Sequence, residues 1–316
     1  MYNGAVIAAS VPAHNEEGQI QKVITTMPSY VDHIVIVDDC STDATSLKVK
    51  EVDDPRVELI RHEVNRGVGG AIITAHKRAL ELGADVCVVM AGDAQMDPEY
   101  LPQLLDPVVE GGYGFAKANR FFSMDSFRGM PRYRVLGNVI LSFMTKLASG
   151  YWNLFDPQNG YTAVRTDVLR RMNLDRIAET YEFENDLLIN LNILDVRAID
   201  IPVPAVYGDE VSGIKLGRVI PAISRLLVKG FWKRLLWKYV FRGFSPVALF
   251  FFTGLALVGW GVLFGLWVLW HTIGPDVATT GTVLLSVVPF IIGVQLLLSA
   301  LTLDIQQSPD RPPGMS

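Results

Sequence analysis

The residue types that grip phosphates, sugars and divalent cations gather in six short stretches of this chain, all before Leu187. Pro12-Ala13-His14-Asn15-Glu16-Glu17 supplies an amide and two carboxylates. Asn15 can cap a following helix with Glu17 near its positive end, or the loop can hold a base and ribose. Asp38-Asp39-Cys40-Ser41-Thr42-Asp43-Ala44-Thr45 packs three carboxylates and three hydroxyls into eight residues, more than one helix cap needs. Capping and hydrogen bonding to a uracil N–H or ribose hydroxyls are both open there. Asn65-Arg66-Gly67-Val68-Gly69-Gly70-Ala71 lets the backbone approach a phosphate at a helix start. Its spacing is not GxGxxG, and a plain turn explains it equally well.

The fourth stretch is Gly92-Asp93-Ala94-Gln95-Met96-Asp97. In an extended chain Asp93 and Gln95 point the same way, so a carboxylate and an amide oxygen can hold Mg²⁺ or Mn²⁺ with a diphosphate. Such pairs also occur in plain turns, and Asp97 before Pro98 reads as a helix cap. From Asn119 to Arg134 come Arg120, Arg128, Arg132 and Arg134, which suit a phosphate-bearing substrate or a solvated loop. The last stretch is Asp156-Pro157-Gln158-Asn159-Gly160-Tyr161 followed by Tyr181-Glu182-Phe183-Glu184-Asn185-Asp186. Glu182 and Asp186 lie four apart on one helical face. Asp186 can be a general base or sugar-binding group, or part of a solvated acidic helix start.

The elements between these stretches alternate. Ala5–Val11, His33–Val37, Val57–Ile60 and Asp85–Met90 read as strands, and Ile20, Val23, Ile24 and Met27 recur at helical spacing. Ala71–Leu82 reads as a helix ended by Gly83, and Pro98 opens another. This βαβαβ order predicts an α/β domain with a mainly parallel sheet. Ligands of such sheets sit at the carboxyl ends of the strands, where the polar stretches fall.

The rest of the chain has another character. Over 316 residues, 50% are hydrophobic, 19% are charged and the mean hydropathy is +0.28, which excludes a disordered chain and argues against a purely soluble one. Cys40 and Cys87 are too few for a disulfide scaffold or cysteine-rich zinc domain and fit a reducing cytosol. A net charge of −5 gives no sign of a nucleic-acid partner. Pro246–Trp270 and Thr282–Leu303 are uncharged, and each exceeds the roughly 20 residues that span a bilayer as a helix. The short linker between them predicts a transmembrane hairpin. Lys215, Arg218, Arg225, Lys229, Lys233, Arg234, Lys238 and Arg242 precede it with no intervening acid, and the linker has no Lys or Arg. The positive-inside rule then puts both termini in the cytoplasm. No signal peptide is expected, because Met1–Ser10 lacks a basic start and a long apolar run. Residues 211–243 alternate basic and apolar faces with Trp232 and Trp237, the pattern of interfacial helices. The expected domains are 1–210, 211–243, 244–305 and a tail, 306–316.

Taken in order, the motifs resemble family 2 glycosyltransferases of the GT-A fold. The resemblance is strongest to the polyprenyl-phosphate group that includes dolichyl-phosphate mannose synthase and bacterial GtrB-type glucosyltransferases. P-A-H-N-E resembles the first nucleotide loop, implicating Pro12, Ala13, Asn15 and Glu16. D-D-C-S-T-D-A-T resembles DDxSxDxT, with Asp39 as base or ribose contact, and N-R-G-V-G-G-A resembles NxGxGxA, including Gly67. V-M-A-G-D-A-Q resembles the metal segment through Asp93 and Gln95, while Ala91 replaces its first aspartate. Arg120 and Arg134 match the acceptor-phosphate positions, and D-P-Q-N-G-Y resembles the acceptor-side loop D-P-x-S-G-F. Tyr207–Leu216 matches the arginine-bearing lid only loosely, with no arginine before Lys215.

The resemblance implies inverting transfer from a nucleotide-diphosphate sugar, with UDP the expected nucleotide, to a membrane polyprenyl phosphate. It also implies a Mg²⁺ or Mn²⁺ cofactor and a homo-oligomer in the inner or plasma membrane. Asp93, Arg120 and Arg134 would carry catalysis, with Asp93 also touching the nucleotide. Two other readings remain: a transferase acting on a sugar hydroxyl with Asp186 as base, and an inactive nucleotide-sugar-binding scaffold.

Overall fold

The computed structural model describes residues 1–120, 132–156, 158–204, 216–273 and 277–309; side chains at 132–136, 138 and 216–220 lie outside that description. The chain divides into two compact units, one from Met1 to Phe231 that also takes in Pro309, the other from Trp232 to Ser308.

The first unit is built on seven strands: β1 (Ile7–Ala13), β2 (His33–Asp38), β3 (Val57–Arg61), β4 (Val86–Val89), β5 (Phe115–Asn119), β6 (Thr162–Arg165) and β7 (Ala198–Pro202). Their order is β3-β2-β1-β4-β6-β5-β7. All pairs are parallel except β4–β6 and β5–β6. The expected α/β sheet is therefore present, with one antiparallel insertion. β1, β2 and β4 read as apolar runs rather than alternating patterns because helices cover both faces.

Ile7, Ala9, Val11 and Ala13 of β1 face one core layer with α1 (Ile20–Thr25) and α4 (Leu101–Val109). Ala8 faces the other layer, with α3 (Val68–Glu81), α6 (Thr166–Arg171) and α7 (Phe183–Ile193). α4 buries Leu101, Leu104, Leu105 and Val108, an i, i+3, i+4, i+7 stripe in which each burial is worth roughly 1.5–3 kcal/mol. β1 runs two residues beyond Val11, through Pro12. The Pro12 carbonyl faces the β4 side, where the Gly92 N–H meets it at 3.0 Å, and β4 itself has ended, so no ladder bond needs the missing N–H.

Two further helices were not assigned from the sequence. α2 (Thr45–Lys50) is short, and α5 (Arg132–Ser149) extends what read as an arginine-bearing loop. The basic segment forms one helix, α8 (Leu216–Leu236), rather than a pair, and continues into a wider π turn at Trp237–Phe241. Nor does its whole apolar face await lipid. Ile223 and Leu227 are buried with Ala148 of α5 and Ile189 of α7, and Gly230 lets α8 pass close to Ile189. Part of the face packs on protein; the exposed aromatics of the segment include Trp232, Trp237, Phe241 and Phe244.

The second unit contains α9 (Pro246–His271) and α10 (Thr280–Gln306), both long and apolar enough to cross a membrane. They pack antiparallel through small residues: a Cβ at Gly254 would lie 2.9 Å from the Gly293 carbonyl, and one at Gly261 2.7 Å from Phe290 Cβ. Pro289 cannot supply the N–H that would bond the Leu285 carbonyl, and Trp260 Nε1 donates to that carbonyl instead at 3.3 Å. At the foot of α10, buried Asp304 takes a two-pronged bond from Arg234 at 2.6 and 3.0 Å and a Tyr239 hydroxyl bond at 2.5 Å.

Candidate active site

In the first unit, β1 connects to β2 on one side while β4 lies on the other, so the sheet order reverses direction between β1 and β4. A crevice opens beyond the carboxyl ends of strands at such a point. The cleft there measures about 370 Å³, within the range for small-molecule sites. Pro12, Ala13, His14 and Glu16 line it from the β1 loop, Asp39 from β2, and Asn65, Gly67, Val68 and Ala71 from the start of α3. Ala91, Gly92 and Asp93 line it from β4, and Thr180 and Tyr181 come from the turn before α7.

The three carboxylates after β2 divide their work. Asp38 is buried and accepts from the Ser41 N–H at 2.8 Å and from the Ser46 hydroxyl. Burial pushes its pKa up, but the Ser41 and Ser46 bonds and the Arg61 charge hold it below the usual range. Asp43 accepts from the N–H of Thr45 at 2.9 Å and of Glu17 at 3.1 Å. These two brace turns. Asp39 alone reaches the cleft, and it also organises the glycine loop: Oδ1 accepts from Arg66 N–H at 2.9 Å, and Oδ2 from Gly67 N–H at 2.7 Å. His62 Nδ1 lies 2.7 Å from the same Oδ1, and His14 Nδ1 donates to the Asp39 carbonyl at 2.8 Å.

Asn15 is not the cap of α1. α1 begins five residues later at Ile20, and Asn15 is not among the cleft-lining residues. With φ +59° it turns its amide oxygen onto the Thr42 N–H at 2.8 Å, while its own N–H donates to Ser41 Oγ at 2.9 Å. It stitches the first loop to the second. Glu17 likewise serves the other helix, accepting from the Ala44 N–H at 2.9 Å at the start of α2.

The glycine loop is shaped by the 178–183 segment. A Cβ at Gly67, whose φ is +84°, would lie 2.8 Å from the Glu179 carbonyl, and one at Gly69 2.7 Å from Phe183 Cβ. Gly70 N–H donates to the Glu179 carbonyl at 2.9 Å, and Arg66 pairs with the Glu179 carboxylate. Asp186 sits beneath this segment, not on the cleft wall. It is 7% exposed, its Oδ2 accepts from the Ala178 N–H at 3.0 Å and its Oδ1 from Asn190 Nδ2 at 3.0 Å.

Asp93 lines the cleft, and its Oδ1 accepts from the Gln95 N–H at 3.0 Å. Gln95 itself is off the cleft wall, and Asp97 caps the turn at Pro98–Tyr100 by accepting from the Glu99 N–H at 2.9 Å. Among the described residues no three His, Cys, Asp or Glu side chains converge as a metal cage. One carboxylate on a phosphate-sized cleft fits Mg²⁺ or Mn²⁺ well enough, since such ions commonly take one or two carboxylates and complete their shell with substrate phosphates and water.

Arg120 follows β5 and forks onto Asp156, Nε to Oδ2 at 2.7 Å and Nη2 to Oδ1 at 3.1 Å. Burial works to raise the Asp156 pKa, but the Arg120 bonds and the Lys117 and Arg120 charges hold it below the usual range. The pairing ties the end of β5 to the loop that begins at Asp156. Arg134 lies in the first turn of α5 with its side chain outside the described residues; Arg128, Lys215 and the 207–215 stretch fall outside them altogether.

Of the residues the sequence marked for the nucleotide, Pro12, Ala13, Glu16, Asp39, Gly67 and Asp93 meet in one cleft. His14, Asn65, Thr180 and Tyr181 were missed. His14, Asn65 and Tyr181 sit inside stretches that were read, but nothing local marks Thr180 and Tyr181 as neighbours of the glycine loop.

Residues 9–172 match the family described as Glycosyl transferase family 2. A UDP-N-acetylglucosamine–dolichyl-phosphate N-acetylglucosaminyltransferase from Methanococcus voltae is 32% identical over 212 residues, covering 62% of this chain and 84% of that one. An undecaprenyl-phosphate mannosyltransferase from Micrococcus luteus is 27% identical over 234 residues, covering 71% and 95%. Among solved structures, glucosyl-3-phosphoglycerate synthase from Mycobacterium tuberculosis, in complex with Mn²⁺ and UDP-glucose, superposes with a TM-score of 0.55 at 21% identity. That superposition covers 73% of this chain and 79% of the other, a likeness of fold.

Proposed function

The chain belongs to glycosyl transferase family 2, and from that membership we propose that it transfers a sugar from a nucleotide-diphosphate donor to a polyprenyl phosphate held in a membrane. The observation that carries this reading is the cleft at the β1/β4 reversal, lined by Asp39 after β2 and by Asp93 after β4. Asp39, Pro12, Ala13 and His14 would hold base and ribose, and Gly67 would give the backbone room beside the donor. Asp93 would hold Mg²⁺ or Mn²⁺ against the diphosphate; such an ion, when bound, neutralises the leaving charge. The acceptor is supported by relatives whose names specify dolichyl and undecaprenyl phosphates, and a UDP donor by one of those names.

Arg120 and Arg134 would align the acceptor phosphate with the anomeric carbon. A phosphate oxygen forms the new bond, the carbon–diphosphate bond breaks, and the configuration inverts. The attacking phosphate is already anionic near pH 7, so no proton has to be removed. That matters because Asp186, the base a hydroxyl acceptor would require, is not among the cleft-lining residues and accepts from Ala178 and Asn190. The two apolar helices and the basic, tryptophan-bearing segment would keep the enzyme in the bilayer that holds its acceptor, with the catalytic unit and both termini on the cytoplasmic side.

The test is a transfer assay on the full-length protein with a short-chain polyprenyl phosphate, Mg²⁺ or Mn²⁺, and labelled nucleotide sugars. Label should enter the organic phase with wild-type protein, and Asp93→Ala should lower the rate by at least about a hundredfold. Donor binding without label in lipid would favour the hydroxyl-acceptor or inactive-scaffold readings.

A further inference from the structure

The loop that carries Asp156 is fastened by an ion pair outside the residues that line the donor cleft, its lysine buried and its aspartate 11% exposed. Lys117 in β5 and Asp200 in β7 are direct neighbours in the parallel register. Lys117 is 1% exposed. Its Nζ lies 3.6 Å from Asp200 Oδ1 and donates to the main-chain carbonyl of Asp156. Asp200 Oδ2 accepts from the main-chain N–H of Phe155 at 2.6 Å and from Asn119 Nδ2 at 3.0 Å. Two residues earlier on each segment, Asn153 Nδ2 donates to the Ala198 carbonyl at 2.9 Å. Three points of residues 153–156 are thus pinned to the β5–β7 ribbon, and the Asp156 carboxylate at the end of that segment takes the Arg120 fork.

An ammonium out of water loses several kcal/mol of hydration, and one carboxylate at 3.6 Å repays that poorly; an apolar side chain of similar size often serves stability as well. What a methionine could not do is grip the Asp156 carbonyl. The link from Lys117 to Asp156 to Arg120 passes through hydrogen bonds with defined directions, so a shift of the ammonium moves the guanidinium. Glu184 faces the same ammonium from α7, and together they line a small cavity beneath Gly160 of the same loop.

We propose that Lys117 is a positioning residue: with Asp200 as its counter-charge, it sets the acceptor-side loop so that Asp156 presents Arg120 to the acceptor phosphate. This rests on the reading of Arg120 as an acceptor-phosphate ligand.

The experiment compares full-length wild type with K117M, K117R and D200N, measuring KM separately for polyprenyl phosphate and for the nucleotide sugar. K117M should raise the acceptor KM about tenfold, since displacing an aligning group by an ångström is enough for such a loss, while the donor KM stays within about twofold. K117R keeps a donor for the Asp156 carbonyl and should recover part of the acceptor affinity. An acceptor KM unchanged in K117M overturns the proposal, as does an equal rise in both KM values, which marks general loosening of the fold. Should K117M not fold, D200N is read by the same ratio of the two constants. Failure of the wild type itself to transfer sugar to lipid phosphate defeats the functional reading, and this inference with it; transfer by the wild type with an unaltered ratio in the variants defeats this inference alone.

Discussion

What a charged residue near this site does is decided by the groups around it. Asp38 and Asp43 bond to turns and hydroxyls close to themselves and keep the second loop in shape. Asp39, beside them, reaches the loop after β3 and borders the cleft. Glu184 is a third kind: burial, opposed by its own backbone bond and by Lys117, lifts its pKa from the ordinary 4.5 to about 7. The folded protein therefore keeps this proton while the unfolded chain releases it as pH rises from about 4.5 to about 7, so the folded state loses stability across that window and no further above it. Glu184→Gln carries no such proton. Melting temperatures of wild type and E184Q should agree near pH 4.5 and diverge toward pH 7, with the wild type falling behind. Parallel curves would show that the carboxyl titrates alike in the folded and unfolded chain.

Close backbone approach sets both the donor loop and the hairpin. Gly69→Ala would bring a methyl group to 2.7 Å from Phe183 Cβ and 2.8 Å from the Ala178 carbonyl, neither of which is a flexible chain end. We expect a loss of about 1–3 kcal/mol in denaturant unfolding, and weaker donor binding because Gly67 and Ala71 border the cleft. A tolerated alanine with wild-type donor affinity would mean that the 178–183 segment can move aside. In the hairpin, Trp260→Phe leaves the Leu285 carbonyl without its indole donor and should cost about 1 kcal/mol. On a Pro289→Ala background the restored helical N–H should satisfy that carbonyl, so the same tryptophan change should cost measurably less. The double-mutant cycle, read as unfolding in detergent, checks the coupling, and additive effects would show that the indole bond contributes nothing.

At the scale of the whole chain, one unit is a seven-stranded sheet with a cleft and the other presents two apolar helices with most of their large side chains outward. Charge asymmetry around those helices predicts their direction. With Cys40 replaced by serine and Cys87 buried, single cysteines at Val277 and Gln307 sit at opposite ends of α10. A membrane-impermeant maleimide should label V277C in intact cells and Q307C only after permeabilisation; the reverse pattern would invert the topology. The exposed Trp232, Trp237, Phe241 and Phe244, with Lys233, Lys238 and Arg242 among them, suit the headgroup region of the same leaflet.

Hydrophobic runs and the polar stretches that interrupt them are local properties, legible in the sequence by itself. They determined the alternating strands and helices, the two bilayer-length helices, and the placing of Asp39, Gly67 and Asp93 at strand ends, where a parallel sheet must bind its ligand. Partner choice across long separations is not local. Asn15 turned from a helix cap into a stitch to Thr42, Arg120 found Asp156, and Asp186 was spent on Ala178, all through the order in which the strands lie. Lys117 was invisible in a strand otherwise suited to the core, because only β7 beside β5 supplies Asp200. Thr180 and Tyr181 entered the cleft because the glycines of α3 let their segment in. The lower face of α8, amphipathic enough to lie on lipid, was claimed by α5 and α7 instead. Periodicity shows that a face must be buried; only the tertiary structure decides what buries it, because protein and membrane offer an apolar side chain the same escape from water.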